Sequence, residues 1–260
     1  MILMKHGDNN IFIDRVGEVS YTKCGTKAII IEYINSKKVL VEFQDDYKYR
    51  YYTSYGNFVK GMLTNPYECR NKKGIGFIGV GEYNSKDHKL AYRKWKAIID
   101  RCVKTDYSND SLKSYIDCSI CEEWLNFQNF AKWFYKNFYI CKNEPLCVDK
   151  DILFHGNKTY SPDKCLLVPQ RINLLFVKEK GCRGNSVIGA QKYGDLKFTS
   201  MLSTSNGNIY LGIFNSEVDA FNAYKIAKEI YIKQVADEYK NIIPENVYKA
   251  LYQYEVLITD

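Results

Sequence analysis

The stretch that decides the fold is Cys147-Val148-Asp149-Lys150-Asp151-Ile152, followed by Gly156-Asn157-Lys158-Thr159-Tyr160-Ser161-Pro162-Asp163-Lys164-Cys165 and by Val168-Pro169-Gln170-Arg171-Ile172-Asn173. Its short apolar runs at 147–153 and 164–168 read as two strands. Residues 169–178 read as the start of a helix, and the polar piece between the strands as a loop.

Working upstream, the apolar period becomes helical from residue 89. Trp95, Ile98, Ile99 and Cys102 align on one face, with Arg93, Lys94, Lys96 and Arg101 around the rest. A second helix is predicted over 121–138, where Trp124, Phe127, Phe130, Ala131 and Phe134 form an apolar stripe of core character. Before these, residues 26–33 and 38–43 are β-branched runs separated by Asn35-Ser36-Lys37, which predicts a hairpin in a small sheet or barrel. Alternation places Tyr47, Tyr49 and Tyr51 on one strand face, where sheet packing is a commoner use than base stacking. Gly74, Gly76, Gly79 and Gly81 mark a loop and a boundary near residue 85. That loop has neither the Gly-Lys-Ser/Thr of a phosphate loop nor the helix and acidic partner of a dinucleotide fold. Downstream, Asn206-Gly207 is a hairpin turn, Ser216 is placed to cap a helix, and Ala220, Ala223, Tyr224 and Ala227 give that helix a narrow apolar stripe.

With 260 residues, 46% hydrophobic and 26% charged, the composition excludes a mostly disordered chain. No run approaches the roughly 18 apolar residues of a membrane span, and Met1–His6 meets charge too early for a signal peptide. Nine irregularly spaced cysteines argue for a reducing compartment, so the expectation is a cytoplasmic protein without a membrane partner. Cys118 and Cys121 form one CxxC without a second pair, although Cys147, Cys165 and Cys182 each offer a lone thiolate; zinc is disfavoured. The formal charge of +7 splits into +3 for residues 1–85, +5 for 86–178 and −1 for 179–260. A basic middle segment is compatible with nucleic acid, and equally with a solvated lysine-rich surface.

The quoted stretch resembles the strand, loop, strand, helix core of phage HNH endonucleases, including the Tyr160-Ser161-Pro162 loop that many of them share. Tyr92-Arg93-Lys94-Trp95, Arg101-Cys102 and Cys121-Glu122-Glu123-Trp124 resemble their helical lead-in, so the likeness covers about residues 90–178. It implies one divalent cation, Mg2+ or Mn2+, on the oxygen donors Asp149 and Asn173, with a histidine on the first strand activating water. The sequence departs from that pattern at two places. Lys150 stands where the general-base histidine belongs, and Lys164 where an asparagine is usual. A protonated lysine does not accept a proton from water, though it can pair with a phosphate. His155, the only histidine of the module, sits in the loop, either as a displaced catalytic group or as a solvated side chain without a role. Asp149 and Asn173 also read as a turn carboxylate and a helix-surface amide.

Lys197-Phe198-Thr199, Tyr210-Leu211-Gly212-Ile213-Phe214 and Ala220-Phe221-Asn222-Ala223-Tyr224 resemble an AP2-type DNA-binding domain, three strands on one helix. Its reading face departs from the arginine-rich plant members, carrying Lys192, Tyr193, Lys197, Thr199 and Ser203, so a structural or protein-binding role stays open. Residues 12–66 resemble the SH3-like β domains that precede some phage HNH proteins.

The expectation is therefore a modular α+β chain: an SH3-like β domain over 1–85, an HNH-like ββα-metal module with helical lead-in over 86–180, and an AP2-like domain with a C-terminal helix over 181–260. The implied activity is that of a metal-dependent endonuclease or nickase of the homing type, phage-encoded and working in the bacterial cytoplasm. Duplex DNA would be bound by Arg93, Lys94, Lys96, Arg101, Lys158, Lys164, Arg171, Lys192 and Lys197. Lys150 and His155 are the candidate catalytic residues, and Asp149 and Asn173 the metal ligands. The alternative is a catalytically inactive relative that binds DNA or a host defence protein. Oligomeric state is not legible.

Overall fold

The computed structural model describes residues 3–6, 10–68, 74–103, 115–142, 144–177 and 186–260, with side chains from Ile13 onward. The chain is α+β and divides into two compact units, Met1–Ser85 with Leu125–Gln128, and Lys86–Trp124 with Asn129–Asp260. Among the described residues no helix is long and apolar enough to cross a membrane. The seven described cysteines are free thiols, and Cys182 lies outside the described residues.

The first unit opens with a two-stranded ladder, β1 (Leu3–His6) and β2 (Asn10–Ile13). Next come β3 (Val19–Tyr21), β4 (Lys27–Asn35), β5 (Lys38–Phe43) and β6 (Arg50–Thr53), an antiparallel sheet in that order. The expected hairpin is present as β4–β5, with Ile30 opposite Val41 and Asn35 opposite Lys38. Alternation sends Ala28, Ile30, Val39, Val41 and Phe43 into one core, closed by Phe58 of α1 (Tyr55–Val59) and by Leu63. Tyr49 and Tyr51 stack on Phe43 at 6.3 and 5.9 Å. Of the three tyrosines only Tyr51 is on β6, and Tyr47 is the farthest from it in the chain. It lies in the turn that Asp45 Oδ1 caps, and stacks on Tyr67 at 4.0 Å. The glycine segment is a loop, as read: Phe77 exchanges backbone hydrogen bonds with Leu125 and Phe127, and a Cβ on Gly79 (φ +73°) would fall 2.4 Å from Asn126 Oδ1.

In the second unit α2 (Lys89–Cys102) buries Trp95, Ile98 and Ile99 of the predicted stripe together with Ala91, while Cys102 is half-buried. The helix expected over 121–138 is broken: β7 (Ser119–Ile120) leads into a 3-10 turn at Glu122–Leu125, and only then comes α3 (Phe127–Lys136). The break carries a hydrogen bond, since the Trp124 carbonyl accepts from Trp95 Nε1 at 2.6 Å instead of continuing a helical ladder. Strand β8 (Leu146–Asp149) stops short of the expected 153. After it, β9 (Thr159–Tyr160) pairs in parallel with β7, and β10 (Leu166–Pro169) pairs antiparallel with β8. The helix expected over 169–178 is the single turn and a half α4 (Gln170–Leu174), which packs on both β8 and β10.

A three-stranded antiparallel sheet follows, β11 (Gln191–Tyr193), β12 (Lys197–Thr204) and β13 (Gly207–Phe214). It packs on α5 (Glu217–Glu238), whose first turn is capped by Ser216 Oγ accepting from the Asp219 amide at 3.1 Å. A last helix, α6 (Glu245–Tyr252), packs on α5. One hydrophobic core joins the two halves of this unit: Ile152, Leu166, Val168, Ile172 and Phe176 share it with Phe221, Ile232, Val235, Leu251 and Tyr254.

Candidate active site

Asp149 ends β8 opposite Leu166, and the reason the strand stops there is the side chain itself. Its Oδ1 accepts hydrogen bonds from the amides of Asp151 (2.8 Å) and Ile152 (2.9 Å), which turns the chain away from the ladder. Oδ2 accepts none from the described residues. Burial raises the carboxyl to about 6, the Ile152 amide opposing the shift and the Asp151 charge adding to it. Asn173 lies on α4, the helix packed on β8, and its carboxamide has no hydrogen-bond partner among the described residues. The two expected ligands thus sit on adjoining elements, each with an oxygen uncommitted. Among the described residues no group of three or more His, Cys, Asp or Glu side chains is placed to hold a metal.

Lys150 is buried, with 6% of its surface exposed, which is unusual for a lysine and requires its charge to be matched. Its ammonium donates to both carboxylate oxygens of Asp151 (2.8 and 2.9 Å) and to the Asn157 carbonyl (2.9 Å). Those three bonds use all three of its donors. Asn157 returns the bond, donating from Nδ2 to the carbonyls of Lys150 and Thr159 at 2.9 Å each. The pair closes the loop 150–159, which turns at Gly156 (φ +69°). Lys150 is thereby a brace of its own loop, its ammonium held by Asp151 and the Asn157 carbonyl.

His155 lies at the surface of the loop but is engaged along one edge of its ring. Its Nδ1 lies 3.4 Å from Oδ1 of Asp260, whose side chain is only 5% exposed, and its ring lies 4.5 Å from that of Tyr254. Tyr254 packs in turn on Phe176 at 4.6 Å. The buried Tyr254 hydroxyl is pushed upward by burial first, then by Asp260, Asp149 and Asp151, so three carboxylates act on one region. Neither Tyr254 nor Asp260 was read as a site residue. Hydrophobic patterning marks Tyr254 only as apolar, and nothing local marks an aspartate 105 residues from its histidine.

The expected phosphate contacts divide. Arg93, Lys96, Lys158, Lys192 and Lys197 are exposed, and Lys94 and Lys164 half-buried. Arg101 is turned inward, 3.3 Å from the Tyr160 hydroxyl and 4.9 Å above the Tyr115 ring. Arg171 is engaged at 2.5 Å by Glu238, and its Nε is buried. Arg101 is thus committed inside the fold, whereas Arg171, its side chain 33% exposed, is held in a surface ion pair. On the three-stranded sheet Tyr193, Lys197, Thr199, Met201, Tyr210 and Ile213 share the face away from α5, and Tyr210 is 61% exposed. Comparison of the chain with protein-family models, with curated proteins and with solved structures returns no significant match.

Proposed function

We propose that this chain is a metal-dependent DNA endonuclease or nickase of the phage HNH kind, hydrolysing phosphodiester bonds in duplex DNA. The carrying observation is that Asp149 ends β8 and Asn173 lies on α4, the helix packed on that strand, each with an oxygen that no described residue engages. In this reading β8, β10 and α4 are the ββα-metal unit, β3–β6 the SH3-like sheet, and β11–β13 with α5 the AP2-like unit.

The donor set fits Mg2+ or Mn2+: one carboxylate and one amide carbonyl are hard oxygen donors, and such ions keep several waters and a substrate oxygen in the remaining positions. When bound, the ion supplies charge stabilisation to the phosphate and the departing oxygen. Asp149 and Asn173 would hold it. The exposed Arg93, Lys96, Lys158, Lys192 and Lys197 attract the phosphate backbone and set register on the duplex without reading sequence.

Incubating supercoiled plasmid with the full chain and Mg2+ or Mn2+ tests the reading. The expected result is nicking that Asp149→Ala and Asn173→Ala abolish while DNA binding in metal-free buffer survives. A wild-type chain inert with either cation, or variants that nick as well as wild type, overturns it. One observation favours the second reading, a catalytically inactive factor that binds DNA or a host defence protein: the position of the family's base is filled by a brace, Lys150. Salt-sensitive binding of duplex DNA without nicking selects that reading.

A further inference from the structure

With Lys150 at the position of the base the nuclease reading lacks a proton acceptor, and the loop that follows β8 carries a histidine. His155 lies in the loop that begins at Asp149, its side chain 28% exposed, and its Nδ1 edge is turned to a buried carboxylate. An imidazole whose Nδ1–H donates to a carboxylate carries its lone pair on Nε2, the arrangement that makes a histidine a base. Here Nε2 has no partner among the described residues.

Asp260 is itself held in place. Its Oδ2 accepts from the Leu257 amide and its own amide donates to the Leu257 carbonyl, both at 3.0 Å. The segment carrying it is pinned to α5 through Val256, whose amide donates to Glu229 Oε1 and whose carbonyl accepts from Lys225 Nζ, each at 2.9 Å. Tyr254 fills the space between Phe176 and the imidazole. A chance contact on a solvated loop would not need a carboxylate buried to this degree and anchored from two sides.

We infer that His155, oriented by Asp260, accepts the proton of the attacking water in this chain, in the role that Lys150 does not fill; the inference rests on the nuclease reading above. The water oxygen forms the new P–O bond as the bond from phosphorus to the departing sugar oxygen breaks. The water proton passes to Nε2, and the departing oxygen takes a proton from solvent. His155 is the catalytic residue in this scheme and Asp260 a positioning residue.

The test uses the full chain, 15N-labelled, with single-turnover plasmid nicking alongside. Imidazole 15N shifts, assigned by the signal missing in His155→Ala, should show the Nδ1–H tautomer in wild type, its loss in Asp260→Asn and its return in Asp260→Glu. The nicking rate should fall about 10²- to 10⁴-fold in His155→Ala, recover in part with added imidazole, and fall at least about 10-fold in Asp260→Asn. Equal tautomer populations in wild type and Asp260→Asn overturn the inference. Nicking that Asp149→Ala abolishes but His155→Ala leaves intact overturns it while the nuclease reading stands. An oriented imidazole in a chain that never nicks overturns both.

Discussion

At Lys150 the ammonium is enclosed by its own loop, and the energetic consequence is measurable. Lys150→Met removes three hydrogen bonds and leaves Asp151 facing the cavity. Because the Asp151 side chain is 34% exposed, the expected loss lies below that of a fully buried pair, about 1–3 kcal/mol. Urea unfolding reads the loss, and amide exchange over 151–158 should accelerate with it. Lys150→His does not create a base in this setting: the shorter ring cannot reach Asp151 and the Asn157 carbonyl together, so nicking should fall. Asp149 makes a pH-dependent prediction. Its carboxyl, raised to about 6, binds a proton more tightly in the fold than in the unfolded chain, where about 4 is usual. The stability it contributes is full below about pH 4 and is lost as pH rises through about 6. In metal-free buffer Asp149→Asn should therefore be the more stable protein at pH 7 to 8, by on the order of 1–3 kcal/mol, with the gap closing below about pH 4. Thermal melts across that range check the sign. Added Mg2+ or Mn2+ should narrow the gap by stabilising wild type alone.

Among the elements, α2 was the most legible because a 14-residue amphipathic pattern repeats its message over nearly four turns, and Trp95, Ile98 and Ile99 are indeed its buried face. The residues around that face were less legible, since Arg93 and Lys96 are exposed whereas Arg101 is drawn under Tyr115 and Tyr160. That difference separates two kinds of variant. Arg93→Ala with Lys96→Ala should weaken duplex binding and flatten its salt dependence by roughly one unit of slope per lost phosphate contact. Arg101→Met should leave the salt slope unchanged and lower the melting temperature. Gel shifts at several ionic strengths, beside melts of each variant, distinguish them; an unchanged slope for the Arg93 and Lys96 pair removes α2 from the interface. The break before α3 and the early end of β8 share a cause that periodicity does not register. In each a single polar group, the Trp124 carbonyl or the Asp149 carboxylate, takes a hydrogen bond that ends the regular ladder.

On the scale of the molecule, the second unit is organised by one core to which the 146–176 segment and the 217–256 segment both contribute. A fragment of residues 86–180 would expose Ile152, Leu166, Val168, Ile172 and Phe176 on the side where Phe221, Val235 and Tyr254 belong. It should therefore give a poorly dispersed amide spectrum, whereas the full chain gives a dispersed one; dispersion in the fragment would show that the 146–176 segment needs no partner. By itself the sequence determined what repeats or what is local: the β4–β5 hairpin, the buried stripe of α2, the Ser216 cap, and the order of Asp149 and Asn173 along a strand and the helix packed against it. Periodicity and turn chemistry act over a few residues, so they can be read along the chain. Only the tertiary structure decided which charges are spent and which are left. Lys150 became a brace because burial forced its donors onto Asp151 and Asn157, and Arg171 was taken by Glu238 from 67 residues away. His155 was oriented by Asp260 across 105 residues. Partnerships of that kind arise when a shared apolar core brings distant segments together and low solvent exposure makes an unmatched charge costly, and neither condition leaves a mark in the spacing of the residues concerned.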